Sequence, residues 1–225
     1  MSKLVVFLSL ACLVLTALWV GLLIADMASA GPLETFEQVA AHASRLHGLF
    51  YATYLNAALL TLAAVAFFAA LYAWLKPTAP DWTVVGLVFV PIYGVLNLAA
   101  YLSQVTLVPA LVTLRLDPRY ADAADMLLRL TLQAWPASAV AFFNGLAYAV
   151  LGIPSILFGL LLWKYPGAQR WGGRLLALNG AACILGAIGS LSGSALLTQG
   201  VMAGGLLFLA AMFPFAWGFW KVGDS

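Results

Sequence analysis

Charged residues are scarce in this chain. Asp, Glu, Lys and Arg make up 8% of its 225 residues, and 64% of the residues are hydrophobic. A soluble domain contains about 25% charged residues, so this composition excludes a water-soluble globular protein and a disordered one. The net charge is only +2 and the ten basic residues are scattered, which excludes a nucleic-acid-binding protein.

Residues that commonly carry chemistry are also few. No charged side chain lies near the middle of an apolar run, which excludes a proton relay, a voltage sensor and a Schiff-base lysine. The spacing of His42 and His47 does not place both imidazoles on one helical face. We therefore expect solvent-exposed histidines at the membrane surface and no metal site. Cys12 and Cys183 lie in different apolar runs and predict buried free thiols. The sequence thus indicates no metal and no cofactor, and it shows no nucleophile–base pair typical of an enzyme.

Long apolar runs, in contrast, fill most of the chain. A helix needs about 20 apolar residues to cross the hydrocarbon of a bilayer. Five runs contain no charged residue, and the last of them is long enough for two helices joined by a turn between Ser192 and Gly200. The sequence therefore predicts an all-α membrane helix bundle in a single transmembrane domain, 1–225. The six predicted transmembrane helices occupy about 4–25, 47–75, 83–111, 136–164, 172–194 and 199–220.

The basic residues predict how the bundle is oriented. Cytoplasmic loops carry an excess of Lys and Arg, and aromatic residues mark the membrane surface. Trp–Lys pairs close the second, fourth and sixth predicted helices, which must therefore end on the same side. We expect both termini in the cytoplasm and the protein in the inner (cytoplasmic) membrane, crossing it several times. The inside would then carry Lys3, Lys76, Lys164, Arg170, Arg174 and Lys221, and the outside Arg45, Arg115, Arg119 and Arg129.

Two connections on the outer side have amphipathic patterns. The segments 33–46 and 120–130 repeat apolar residues at helical spacing, opposite acidic and amide side chains. Within the second segment, Asp125 and Arg129 have the spacing of an i,i+4 ion pair. Both segments are typical of short helices in the membrane interface. They would serve either as ordinary linkers or as a lid over an outward-facing pocket.

Neutral polar residues repeat on one face of three predicted helices. An unpaired amide in hydrocarbon is costly, so these faces must point into the bundle. At about 1.5 Å per residue, Tyr54, Tyr101 and Asn144 share a level about 10 Å below the outer surface. Asn97 and Tyr148 share a level near the midplane, whereas Gln104 and Tyr51 lie close to the surface. The predicted polar set comprises Tyr51, Tyr54, Asn97, Tyr101, Gln104, Asn144 and Tyr148.

Two interpretations of this polar set stay open. The groups would hydrogen-bond one another across helices, as is common in membrane bundles. Alternatively, they would line an outward-facing pocket for a small neutral or lipid-like molecule, because uncharged polar groups among aromatics are typical of small-molecule sites. The lipid bilayer is the expected partner in either case, and nucleic acid is not.

Some segments carry a family resemblance. Residues 71–77 (LYAWLKP), 156–164 (ILFGLLLWK) followed by Tyr165–Pro166, and 174–180 (RLLALNG) resemble an uncharacterised bacterial family of six-helix integral membrane proteins, a domain of unknown function. The resemblance covers helices two to five and implies the six-helix layout without an activity or a functional residue.

By layout alone, the chain also resembles the vitamin-binding membrane subunits of energy-coupling transporters, although its first helix lacks their A-x-x-x-A pattern. That likeness implies a transport component with an outward pocket. The alternative is a structural or accessory subunit that packs against other membrane proteins.

Overall fold

A computed structural model describes residues 2–223, without the side chains of 221–223. These residues are about 86% helical and contain no strand, and six of their helices are long and apolar enough to cross a membrane. The prediction of an all-α bundle with six membrane-spanning helices is therefore confirmed. In chain order the helices are α1 (Ser2–Ala30), α2 (Phe36–Ser44), α3 (Gly48–Leu75), α4 (Pro80–Arg115), α5 (Ala121–Thr131), α6 (Ala139–Leu162), α7 (Gly167–Ser192), α8 (Ala195–Thr198) and α9 (Gly200–Gly223).

Several long helices extend beyond the apolar runs that predicted them. Helix α1 continues to Ala30, and α4 begins at Pro80 and ends at Arg115. Proline suits the first helical position because the N–H it lacks has no partner there. Asp81 in the first turn and Arg115 in the last turn both complement the helix dipole. Charged residues therefore mark where the apolar run ends, not where the helix ends.

The six long helices form a closed ring. Each packs against the next long helix in chain order, and α9 returns to pack against α1. One end of the ring, which we call the terminal end, brings together Val5 near the start of α1, Leu75 and Leu162 at the ends of α3 and α6, and Phe219 in α9. The opposite end, where α2, α5 and α8 lie, is called the cap end.

Aromatic side chains fill the ring at the terminal end. Phe67, Phe158, Phe215 and Phe219 are fully buried there. The ring centroids of Phe67 and Phe215 are 5.5 Å apart, close enough for direct aromatic packing. Because lipid is as apolar as these side chains, the packing stabilises the bundle through van der Waals contact and not through removal from water. The terminal end is therefore a packed core.

Glycines bring α6 and α7 into backbone contact. A Cβ atom added at Gly152 would lie 2.7 Å from the carbonyl oxygen of Gly180, and one added at Gly159 would lie 2.5 Å from that of Gly173. Real Cβ atoms do not approach so closely, so these four positions require glycine. Small residues of this kind let membrane helices approach and gain packing contacts.

At the cap end, ion pairs join separate segments. The guanidinium of Arg129 donates to Glu37 of α2 at 3.1 Å and lies 3.9 Å from the ring centroid of Phe36. Asp125 is instead 2.7 Å from Arg115 at the end of α4. The predicted pairing of Asp125 with Arg129 is thus wrong. An i,i+4 pair stabilises by only about 0.3–0.5 kcal/mol, so partners supplied by neighbouring helices replace it.

Candidate functional site

A cavity of about 350 Å³ lies within the helix ring, and all six long helices contribute to its wall. It begins at Phe208, beside the aromatic core of the terminal end, and reaches Gln133, Thr198 and Gln199 at the cap end. The part of the chain that the structure describes places no Asp, Glu, Lys, Arg or His in this wall. Its polar side chains include Thr16, Thr61, Tyr93, Asn97, Tyr101, Asn144, Tyr148 and Asn179.

A chain of amide hydrogen bonds crosses the wall from α6 to α3. The Nδ2 group of Asn144 donates to Oδ1 of Asn97 at 2.6 Å. Asn97 in turn donates from Nδ2 to Oγ1 of Thr61 at 3.0 Å and to the hydroxyl of Tyr93 at 3.3 Å. Asn97 is fully buried, and these bonds satisfy both its amide donors and its carbonyl oxygen. The network orients Asn144 and holds α3, α4 and α6 together.

A second polar link joins α4 to α6. The hydroxyl oxygens of Tyr101 and Tyr148 are 2.6 Å apart, and either can donate. The interpretation that the polar groups bond across helices is therefore confirmed for these two residues and for Asn97 with Asn144. The pairing nevertheless crosses the two predicted levels, since each bond joins an outer residue to one nearer the midplane. A tyrosine side chain is long enough to span the helical rise of one turn, about 5.4 Å. Asparagine is too short to do so, and the 2.6 Å bond between Asn97 and Asn144 shows that the predicted difference in level between these two residues is wrong.

The other three residues of the predicted polar set lie outside the cavity wall. Gln104 is fully buried, donates from Nε2 to the carbonyl oxygen of Thr131 at 2.9 Å and accepts the N–H of Gln133 at 3.1 Å. It thereby attaches the segment after α5 to α4. Tyr54 packs its ring between Phe50 and Tyr101. Tyr51 likewise packs against the apolar cluster formed by α2, the start of α3 and the end of α4.

Asn179 in α7 also belongs to the site, although the predicted polar set does not contain it. Its side chain lines the cavity, is only 2% exposed and donates from Nδ2 to the carbonyl oxygen of Gly204 at 2.8 Å. Its Oδ1 atom has no hydrogen-bond partner, and neither has Oε1 of Gln133. A single amide within a run of Leu, Ala and Gly was the available signal, because an isolated amide in hydrocarbon needs a partner. This signal is weak, because no second amide or hydroxyl side chain lies three or four residues from Asn179 in α7.

A second cleft adjoins the cavity on the outside of the ring. This cleft has a volume of about 620 Å³ and lies between α6 and the end of α7. Asn144 and Val201 belong to the walls of both spaces, as do Thr198 and Gln199. Phe142, which lines the cleft, is 50% exposed. The cavity is thus separated from the outer surface of the bundle by a few shared side chains.

Asp26, His42 and His47 form a polar cluster at the cap end. One carboxylate oxygen of Asp26 and one nitrogen of each imidazole lie within 4.8 Å of one another. The two imidazole centroids are 5.3 Å apart. The expectation of solvent-exposed histidines is wrong for His42, which is 6% exposed. The two residues share no helical face, as expected, but a break in the helix between them brings their rings together. His42 belongs to α2, Leu46 adopts a positive φ of 45°, and His47 is the N-cap of α3.

Two carboxylates at the cap end have lowered pKa values, and each lies beside an arginine. The backbone N–H of Glu37 and the nearby Arg129 guanidinium hold the pKa of Glu37 below its ordinary value. Arg119 donates to both carboxylate oxygens of Asp117, and this contact lowers the pKa of Asp117. Both pairings favour the ionised carboxylate, and neither residue belongs to the cavity wall.

Comparison with protein-family models, with curated proteins and with solved structures finds no match. The resemblance seen in the sequence therefore brings no activity to this chain, and its function is inferred from the residues alone.

Proposed function

We propose that this multi-pass membrane protein binds a small neutral or lipid-like molecule in its central cavity, as the binding component of a transport system. The observation that carries the proposal is an uncharged cavity with a wall built by all six long helices. Its volume of about 350 Å³ falls within the range of about 300–1,000 Å³ that is typical of small-molecule sites.

The wall chemistry defines the class of ligand. A charged molecule would lose its hydration without finding an opposite charge, so a neutral molecule is favoured. The hydroxyls of Tyr101 and Tyr148 and the amide of Asn144 offer hydrogen bonds, while Leu60, Leu151 and other apolar side chains offer van der Waals contact. A ligand with one or two hydroxyl or amide groups on an apolar body complements both kinds of surface.

The adjoining cleft supports a ligand that dissolves in the membrane. Asn144 and Val201 line both the cleft and the cavity, and the exposed side chains of Phe142 and Leu146 border the cleft. A lipid-like molecule partitions into hydrocarbon and reaches such a cleft from the side. A purely water-soluble molecule would gain nothing from this apolar approach.

The basic residues support an orientation for the bundle. Lys3, Lys76, Lys164 and Arg170 lie at or beyond helix ends on the terminal side, and Arg174 lies about two turns into α7 from the same side. The positive-inside rule assigns this side to the cytoplasm. The Lys221 side chain, which completes the predicted Trp–Lys pattern, lies outside the described residues. In the proposed orientation both termini are cytoplasmic and the cap end faces outward from the inner membrane.

A cavity-filling variant tests this proposal. A Cβ atom added at Gly205, in the cavity wall, meets no atom within 4 Å, so Gly205→Leu is expected to occupy the cavity without displacing the helices. Gly21→Leu is the matched control, because Gly21 is exposed and its Cβ position is equally open. Replacement of glycine also raises helix propensity, so neither change is expected to unfold the protein.

The measurement is mass spectrometry of small molecules that copurify with protein extracted in mild detergent. We expect a neutral amphipathic molecule with the wild type and with Gly21→Leu, and its loss from Gly205→Leu. The same molecule at equal occupancy in all three proteins would contradict cavity binding. A stoichiometric partner protein with no small molecule would favour the accessory subunit instead.

A further inference from the structure

We propose that Asp26, His42 and His47 bind one divalent transition-metal ion, such as Zn²⁺, at the cap end. Two imidazoles and a carboxylate form a donor set that suits Zn²⁺, and they leave a fourth position for water. The site is separate from the central cavity, because none of the three residues belongs to the cavity wall. It therefore stands or fails independently of the proposed ligand.

The spacing of the three side chains suits a shared metal ion as well as it suits long hydrogen bonds. The Nε2 atom of His42 lies 3.3 Å from one oxygen of Asp26, and Nε2 of His47 lies 3.5 Å from the other. Good N–H···O bonds are shorter, about 2.7–3.2 Å. Ligands held at about 2.0–2.1 Å in a tetrahedron are about 3.3–3.4 Å apart, close to both contacts. A modest rotation of the carboxylate and imidazoles would bring the three donor atoms around one ion.

Burial leaves these side chains without adequate partners. His42 is 6% exposed, and its Nδ1 atom has no hydrogen-bond partner. Oδ1 of Asp26 and Nε2 of His47 are also buried without one. Buried polar groups are normally satisfied, so three unpartnered atoms in one cluster call for a ligand. A cation bound to Oδ1 of Asp26 and Nε2 of His47 satisfies two of these three atoms.

Metal binding competes with one existing contact. His47 caps α3 by accepting the N–H of Phe50 on Nδ1 at 3.2 Å, so its Nε2 carries the proton in the neutral ring. Coordination through Nε2 needs the lone pair of that atom, so the proton moves to Nδ1. Nδ1 then no longer accepts the N–H of Phe50, and the cap bond is lost. One cap bond is a small loss compared with three metal–ligand bonds. The three ligands come from α1, α2 and the start of α3, so the ion would tie these segments together.

Zinc titration of the full-length protein tests the site. The chain has only two histidines, so any polyhistidine tag must be removed first, and the protein must be treated with a chelator before titration. We expect one Zn²⁺ per chain by calorimetry. Loss of a second-shell partner alone weakens metal binding about 10–100-fold, so Asp26→Asn, His42→Gln and His47→Gln should each weaken it by at least about 100-fold. Glu34→Gln is the control, because Glu34 is an exposed carboxylate near α2 and outside the cluster.

X-ray absorption at the zinc edge supplies a test that does not depend on the variants folding. Nitrogen and oxygen ligands at about 2.0–2.1 Å with imidazole scattering would support the site. Sulfur ligation, the absence of stoichiometric binding, or equal affinity in the three variants and the control would overturn it.

Discussion

Removal of the tyrosine hydroxyls that link α4 to α6 gives a sharp test of the polar network. Tyr101→Phe and Tyr148→Phe each delete one oxygen of the 2.6 Å contact and leave the rings in place. Hydrogen bonds between helices in membrane proteins contribute about 0.6 kcal/mol on average and at most about 1.7 kcal/mol. Since either single change already breaks this bond, the double variant should lose little more stability than one single variant.

A double-mutant cycle isolates that contribution. The free energy of unfolding is measured in mixed micelles with a rising fraction of denaturing detergent, for the wild type, both single variants and the double variant. We expect a coupling energy of about 0.6–1.7 kcal/mol between Tyr101 and Tyr148. Tyr101→Phe combined with Tyr72→Phe is the control, because Tyr72 lies in α3 near the terminal end and should add within about 0.5 kcal/mol. Strict additivity of the Tyr101 and Tyr148 changes would refute the interhelical bond.

Two further predictions concern packing and charge. Gly180→Ala places a Cβ atom against the carbonyl oxygen of Gly152, and the resulting overpacking should cost about 1–3 kcal/mol of unfolding free energy in the same assay. Gly145→Ala on α6 enters open space and should cost nothing, so equal losses would contradict the close contact of α6 with α7. The pKa of Glu37 is lower in the folded protein than its ordinary value of 4.5, so this residue stabilises the fold at pH values above 4.5. The small contribution disappears as the pH falls through the pKa of the folded state. Glu37→Gln should therefore make the free energy of unfolding depend less on pH below about 4.5. An unchanged pH dependence would exclude a contribution from the pair with Arg129.

The membrane-spanning helices were predictable because hydrocarbon imposes a simple length requirement. A charge-free run of sufficient length needs a helix to satisfy its backbone, whatever its neighbours are. The ends were less predictable, since Pro80 and Asp81 belong to α4 although they precede the apolar run. Helices project beyond the hydrocarbon, where water and the helix dipole tolerate charge.

The candidate site was predictable only where helical periodicity repeats a polar residue. Two pairs of polar residues recur four positions apart, Asn97 with Tyr101 on α4 and Asn144 with Tyr148 on α6. This spacing alone predicts that each pair lies on an inward face. Asn179 has no such repeat in α7, and its partner is a backbone carbonyl that sequence patterns do not reveal. Gln104 lies outside the cavity wall because the chain at the end of α5 brings the carbonyl oxygen of Thr131 within hydrogen-bonding distance of its side chain. The sequence pattern does not reveal this path of the chain.

The sequence by itself determined that this protein is a six-helix membrane bundle with a few inward-facing amides and phenols, because the cost of burying polar groups in lipid acts on each segment separately. Only the tertiary structure decided that α9 closes the ring against α1, that the phenols and amides pair between α4 and α6, and that His42 meets His47 and Asp26. These features depend on contacts between residues far apart in the chain and on a break at Leu46. Hydrophobic periodicity carries information about one helix at a time and therefore does not contain them.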